Sequence, residues 1–216
     1  SSWRQFLFVY PALVIIAASG FSTLYDFLNN KVLRWLLVAA VILLALHPVK
    51  FMAWNPRYYY LYYNQFTGGL KGAYGNYETD YYYVSQTRAA EWLIGFLKKN
   101  NIDGVKVKAT YSVAWQFREL PGVETSYFRW EERSLEDWDY AICVNRYISP
   151  YQLNNKIWPP PDAIHLIYVD EVPVCAVVKR RTKEDLLGYR ALKEDRYAEA
   201  ISHFGKVLKE DADDEM

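Results

Sequence analysis

The sequence predicts a membrane α-helical hairpin followed by a small α/β domain and a terminal helical hairpin. Three observations predict it. Two apolar runs open the chain, residues 6–25 and 32–46, and nothing after Trp54 resembles them. Between residues 84 and 180, helical and extended hydrophobic periods interleave, the pattern of a layered α/β unit. From Thr182 onward the period is helical alone.

The first run (FLFVYPALVIIAASGFSTLY) holds no charge, and a helix of that length rises about 30 Å, the thickness of a hydrocarbon core. The second carries Arg34 near its start and stays apolar to His47-Pro48; Arg34 reaches toward head groups along its own stem. Two membrane helices, about 6–26 and 32–54, are therefore expected within residues 1–55. The first is not read as a signal peptide, because it lacks an A-x-A site and a second apolar helix follows at once. With no initiator Met and Ser1-Ser2 at its start, the chain reads as the C-terminal piece of a larger membrane protein. Lys31 and Arg34 between the runs oppose Arg4, Lys50 and Arg57 outside them, so charge counting leaves the orientation open.

Residues 56–83 are rich in Tyr and Gly. Tyr concentrates where one end of a ring is dry and the other wet, so this segment reads as an interfacial loop. It serves either as an aromatic belt or as the rim of a site. Next, Ser85 caps a helix whose apolar face is Ala89, Ala90, Trp92, Leu93, Phe96 and Leu97, with Lys98-Lys99 in its last turn. Residues 105–109 alternate as a strand, 112–119 form a short helix stopped at Pro121-Gly122, and YAICV (140–144) is a strand buried on both faces. Residues 149–156 form another short helix, and 164–169 and 172–179 pair as a hairpin across Asp170-Glu171. The soluble α/β domain thus spans 84–180 and a helical hairpin spans 181–216. Cys143 and Cys175 lie in apolar strands, either as buried thiols or as a disulfide between neighbouring strands.

Several function classes lose support. Twenty-five basic and 25 acidic residues cancel, so the basic excess of a nucleic-acid surface is absent and no nucleic-acid partner is expected. There is no CxxC, HExxH or G-x-S-x-G, and Gly68-Gly69-x-x-Gly72 does not follow a buried strand. His165 lies in an apolar strand, as a core histidine does. The last eight residues hold five carboxylates and one lysine, a solvated end.

Residues 182–211 resemble a tetratricopeptide repeat. Gly188 and Ala200 lie twelve apart, the spacing of the small residues that let its two helices touch, and Tyr197, Phe204 and Asp211 fall in register. Ala212 stands where proline is usual, and no second repeat follows. The resemblance implies a protein partner bound through Gly188, Tyr197, Ala200 and Phe204; a plain capping hairpin is the competing reading.

Residues 3–95 resemble the C-type integral-membrane glycosyltransferases related to protein mannosyltransferases and lipid A aminoarabinose transferases. The motifs that carry the likeness are W-R-Q-F-L-F-V-Y-P-A-L at 3–13, Y-Y-N-Q-F-T-G-G-x-x-G-A at 62–73 and E-T-D-Y-Y at 78–82. The resemblance implies a bacterial cytoplasmic-membrane protein, multi-pass, with its soluble domain extracytoplasmic and residues 26–34 cytoplasmic. It implies a polyprenyl-phosphate sugar as donor, with the bilayer as the setting. The family's catalytic carboxylate belongs to a first outer loop upstream of the matched segment, so this chain carries no catalytic residue and no cofactor of its own. The resemblance leaves room for a divalent metal in the full enzyme. Arg4 is the leading candidate for the donor phosphate, with Arg57, Asn64, Glu78 and Asp80 on the pocket rim. The alternative is a non-catalytic membrane-anchored scaffold whose repeat recruits partners for envelope assembly.

Overall fold

The computed structural model describes residues 8–210. Arg4, the start of the first apolar run, and the acidic end with Asp211 and Ala212 lie outside the described residues. The chain divides into two compact units, Ser1–Trp54 and Asn55–Met216.

The first unit is two helices, α1 (Tyr10–Phe27) and α2 (Lys31–Trp54). Pro11 lies in the first turn of α1, where its missing N–H costs nothing. Asn30 caps α2, its Oδ1 accepting from Val32 N–H at 2.8 Å. Arg34 is bound to the connection between the helices: its Nε donates to the Leu28 carbonyl at 2.7 Å and its guanidinium lies 4.9 Å from the Tyr25 ring centroid. One helix among the described residues, α2, is long and apolar enough to cross a membrane, with a mean hydropathy of 2.2. The other expected span, about 6–26, begins outside the described residues. α1 holds 18 residues, about 27 Å of rise against a core of about 30 Å. Ser19, Gly20, Ser22, Thr23 and Asp26 dilute its C-terminal half.

The second unit is built on a five-stranded mixed sheet of order β2-β1-β3-β5-β4. Its strands are β1 (Lys106–Ala109), β2 (Glu124–Tyr127), β3 (Tyr140–Val144), β4 (Ala163–Val169) and β5 (Val172–Lys179). β1 pairs in parallel with both β2 and β3, while β5 runs antiparallel to β3 and to β4. The β4–β5 hairpin follows from Asp170 and Glu171, both at positive φ, which a two-residue turn needs to match strand twist. All five residues of β3 are buried, as an apolar run without alternation requires. β2 (ETSY) was not legible: it is an edge strand of mostly exposed residues.

Period two sorts the sheet into two cores. On one face Val107, Ala109, Ile142, Val144, Cys175 and Val177 meet Ala89, Ala90, Leu93 and Leu97 of α4 (Val84–Lys99). On the other, Ala141, Cys143, Ala176 and Val178 meet Phe128, Trp130, Trp138 and Trp158. Cys143 and Cys175 are both buried free thiols. They sit one register apart on neighbouring strands, Cys143 opposite Ala176 and Cys175 opposite Val144, so they point to opposite faces and the disulfide alternative falls. Burial pushes both thiols up. His165 is half-buried and stacks on Trp92 at 4.2 Å; burial lowers its pKa.

The segment before α4 packs into this unit as short turns and α3 (Gly69–Ala73), with Tyr58, Leu61, Leu70 and Ala73 buried. After the sheet come α7 (Glu184–Lys193) and α8 (Tyr197–Glu210), with the shorter α5 (Ala114–Phe117) and α6 (Pro150–Asn154) earlier in the chain. A Cβ on Gly188 would lie 2.7 Å from the Phe204 ring, so the two helices meet where only hydrogen fits. Ala200 is buried, and Tyr197 is exposed with its hydroxyl on Asp195 at 2.8 Å.

Candidate functional site: the crevice at the carboxyl ends of β1 and β3

β1 is followed by β2 on one side of it and by β3 on the other, so chain order reverses at β1. Open sheets bind ligands beyond the carboxyl ends of their strands at such a switch point. Here the residues just past β1 and β3 are Thr110-Tyr111 and Asn145-Arg146-Tyr147. Thr110 fixes the two ends together: its N–H donates to the Ile142 carbonyl at 3.1 Å and its Oγ1 accepts from Val144 N–H at 3.1 Å.

Tyr83, at φ 56° just before α4, places its ring between the other two tyrosines. It stacks on Tyr111 at 4.1 Å and 9°, and lies parallel to Tyr147 at 6.0 Å and 3°. Arg146 Nη1 donates to the Tyr83 hydroxyl at 3.0 Å, and that hydroxyl is 2.7 Å from the hydroxyl of Tyr147. Tyr147 is pushed up to about 12, first by burial and then by its bond to Tyr83. The guanidinium also lies 4.6 Å from the Tyr81 ring centroid, a cation over a π face. Its other nitrogen, Nη2, pairs with Glu78 at 3.2 Å.

Of the rim residues expected from sequence, Glu78 joins this crevice. Its side chain is 68% exposed, so its ion pair with Arg146 contributes little net stability and an incoming anion can displace it. Asp80 is brought to the same place but lies beneath it, fully buried. Its carboxylate accepts from Val84 N–H and Ser85 N–H, each at 3.2 Å, and from the Tyr60 and Ser85 hydroxyls. Asp80, not Ser85, therefore caps α4. Burial and the bond to this carboxylate push the Tyr60 hydroxyl up. Asn64 caps its own loop, accepting from Thr67 N–H at 3.1 Å. Arg57 is exposed in the turn before Tyr58. Three buried polar atoms beside the crevice have no partner: Gln86 Oε1, Gln116 Oε1 and Asn145 Nδ2.

Arg146, Tyr83, Tyr111 and Tyr147 were not singled out from sequence. The usable signal was positional: N-R-Y directly follows the fully apolar YAICV, and T-Y directly follows VKVKA. The crevice offers a half-buried guanidinium, two hydroxyls and an exposed tyrosine face, which suits binding of a sugar or phosphate. It contains no base aligned with a nucleophile. No group of three or more His, Cys, Asp or Glu converges among the described residues. No protein-family model, curated protein or solved structure matches the chain.

Proposed function

We propose that the chain is the C-terminal membrane and extracytoplasmic portion of a polyprenyl-phosphate-sugar-dependent glycosyltransferase, with the catalytic carboxylate carried by a loop upstream of the matched segment. The observation that carries this reading is the continuity of α2, an apolar helix of 24 residues ending at Trp54, with a folded unit that begins at Asn55. In that unit E-T-D-Y-Y contributes Glu78 and Tyr81 to the surroundings of Arg146 in the Tyr83–Arg146 crevice. The soluble unit holds the sugar-phosphate end of a lipid-linked donor. Arg146 is the cation for the phosphate, replacing its weak pair with Glu78 by a charge-assisted fork.

The test is binding of the full chain, reconstituted in nanodiscs, to a polyprenyl-phosphate hexose doped into the lipid. Saturable binding that weakens about tenfold or more in Arg146→Ala supports the reading. Equal binding by doped and undoped discs overturns it. The close packing of Gly188 on Phe204 favours a second reading, the membrane-anchored scaffold, in which α7 and α8 form a tetratricopeptide-like unit that takes a protein partner. An undoped-like result with donor, together with an intact fold, leaves that scaffold as the better account.

A further inference from the structure

A separate cleft of about 450 Å³ lies between the tryptophan-lined face of the sheet and the α7–α8 pair, within the size range of small-molecule sites. Its walls are Trp130, Trp158, Ile157 and the Pro159–Pro161 run. Trp130 and Trp158 meet edge to face at 5.3 Å, and the Trp158 indole N–H is buried with no acceptor. The lining holds four cations, Arg133, Lys156, Arg180 and Arg181, against two carboxylates, Asp162 and Asp185.

These charges are not equivalent. Arg180 is fully engaged within the fold, with Asp185 at 2.6 Å and the carbonyls of Glu136 and Thr182 at 2.5 and 2.9 Å. Lys156 and Arg181 are both exposed and make no ion pair with another described residue. The cleft is therefore net positive, with two cations open to a ligand at its rim. Gln152 and Thr182 also line it. An alkyl chain would cover those polar groups without replacing their hydrogen bonds, which is costly. A hydroxylated ring offers them partners and lays its C–H face on proline and indole.

The geometry points to a binding site here for a sugar that carries one anionic group, a hexuronate or a hexose phosphate, its anion held by Lys156 and Arg181. This site stands on the soluble unit alone and is independent of the donor reading. The test is calorimetric titration of the full chain in detergent with a hexuronate and a hexose phosphate, set against the neutral hexose and inorganic phosphate. The expected result is saturable binding of the two charged sugars, about tenfold or more tighter than either control. The Lys156→Ala/Arg181→Ala double variant, both exposed sites, keeps its circular dichroism spectrum and loses that binding. Failure of both charged sugars to saturate overturns the inference. So does inorganic phosphate binding as tightly as hexose phosphate, or unchanged binding in the double variant.

Discussion

Asp80 illustrates how a residue can look functional in sequence and be structural in the fold. In E-T-D-Y-Y it reads as a rim carboxylate, yet it is buried and collects two backbone N–H groups and two hydroxyls. Composition could not separate it from Glu78, two residues earlier and exposed. Asp80→Asn leaves donors facing donors, and the expected loss is about 1–3 kcal/mol, read from urea unfolding followed by circular dichroism; an unchanged midpoint would contradict the capping role. Asp137 makes the second residue-scale prediction. Bonds from Lys106 at 2.6 Å and Lys183 at 2.7 Å hold its carboxyl at about 2. A depressed folded value means that the stabilisation is present above the usual carboxylate pKa, near 4, and is lost as pH falls toward 2. Stability measured against pH should therefore drop across that window in the wild type, and the drop should flatten in Asp137→Asn.

At the scale of elements, the pieces with strong periods were legible: α4, β3 and the β4–β5 hairpin appear close to where apolar spacing put them. The edge strand β2 was not, because a four-residue strand with an exposed face carries no hydrophobic signal. Nor was the crevice, which needs the parallel pairing of β1 with β3 before Tyr111 and Arg146 become neighbours. The α7–α8 contact was legible in its small residues. Gly188→Ala forces a methyl against the Phe204 ring, and such overpacking costs about 1–3 kcal/mol. Thermal unfolding should show that loss, with partial recovery when Phe204→Leu is added; a neutral Gly188→Ala would mean that the helices are free to separate there.

Across the whole molecule, the apolar α2 precedes in sequence a mixed-sheet unit that holds two clefts of different lining. We assign a lipid-linked phosphate to the first, Tyr83–Arg146, and a charged sugar to the second, Trp130–Trp158. We propose that the mixed-sheet unit lies outside the cytoplasm, and labelling in intact cells checks this directly. Single cysteines at Asn29 and Asn155, both exposed, are probed in intact cells with a membrane-impermeant maleimide. The native Cys143 and Cys175 are buried, and burial keeps their thiols protonated and inert. Labelling of position 155 but not 29 is the predicted result. Labelling of 29 but not 155 would put the α/β unit in the cytoplasm and contradict the extracytoplasmic glycosyltransferase reading.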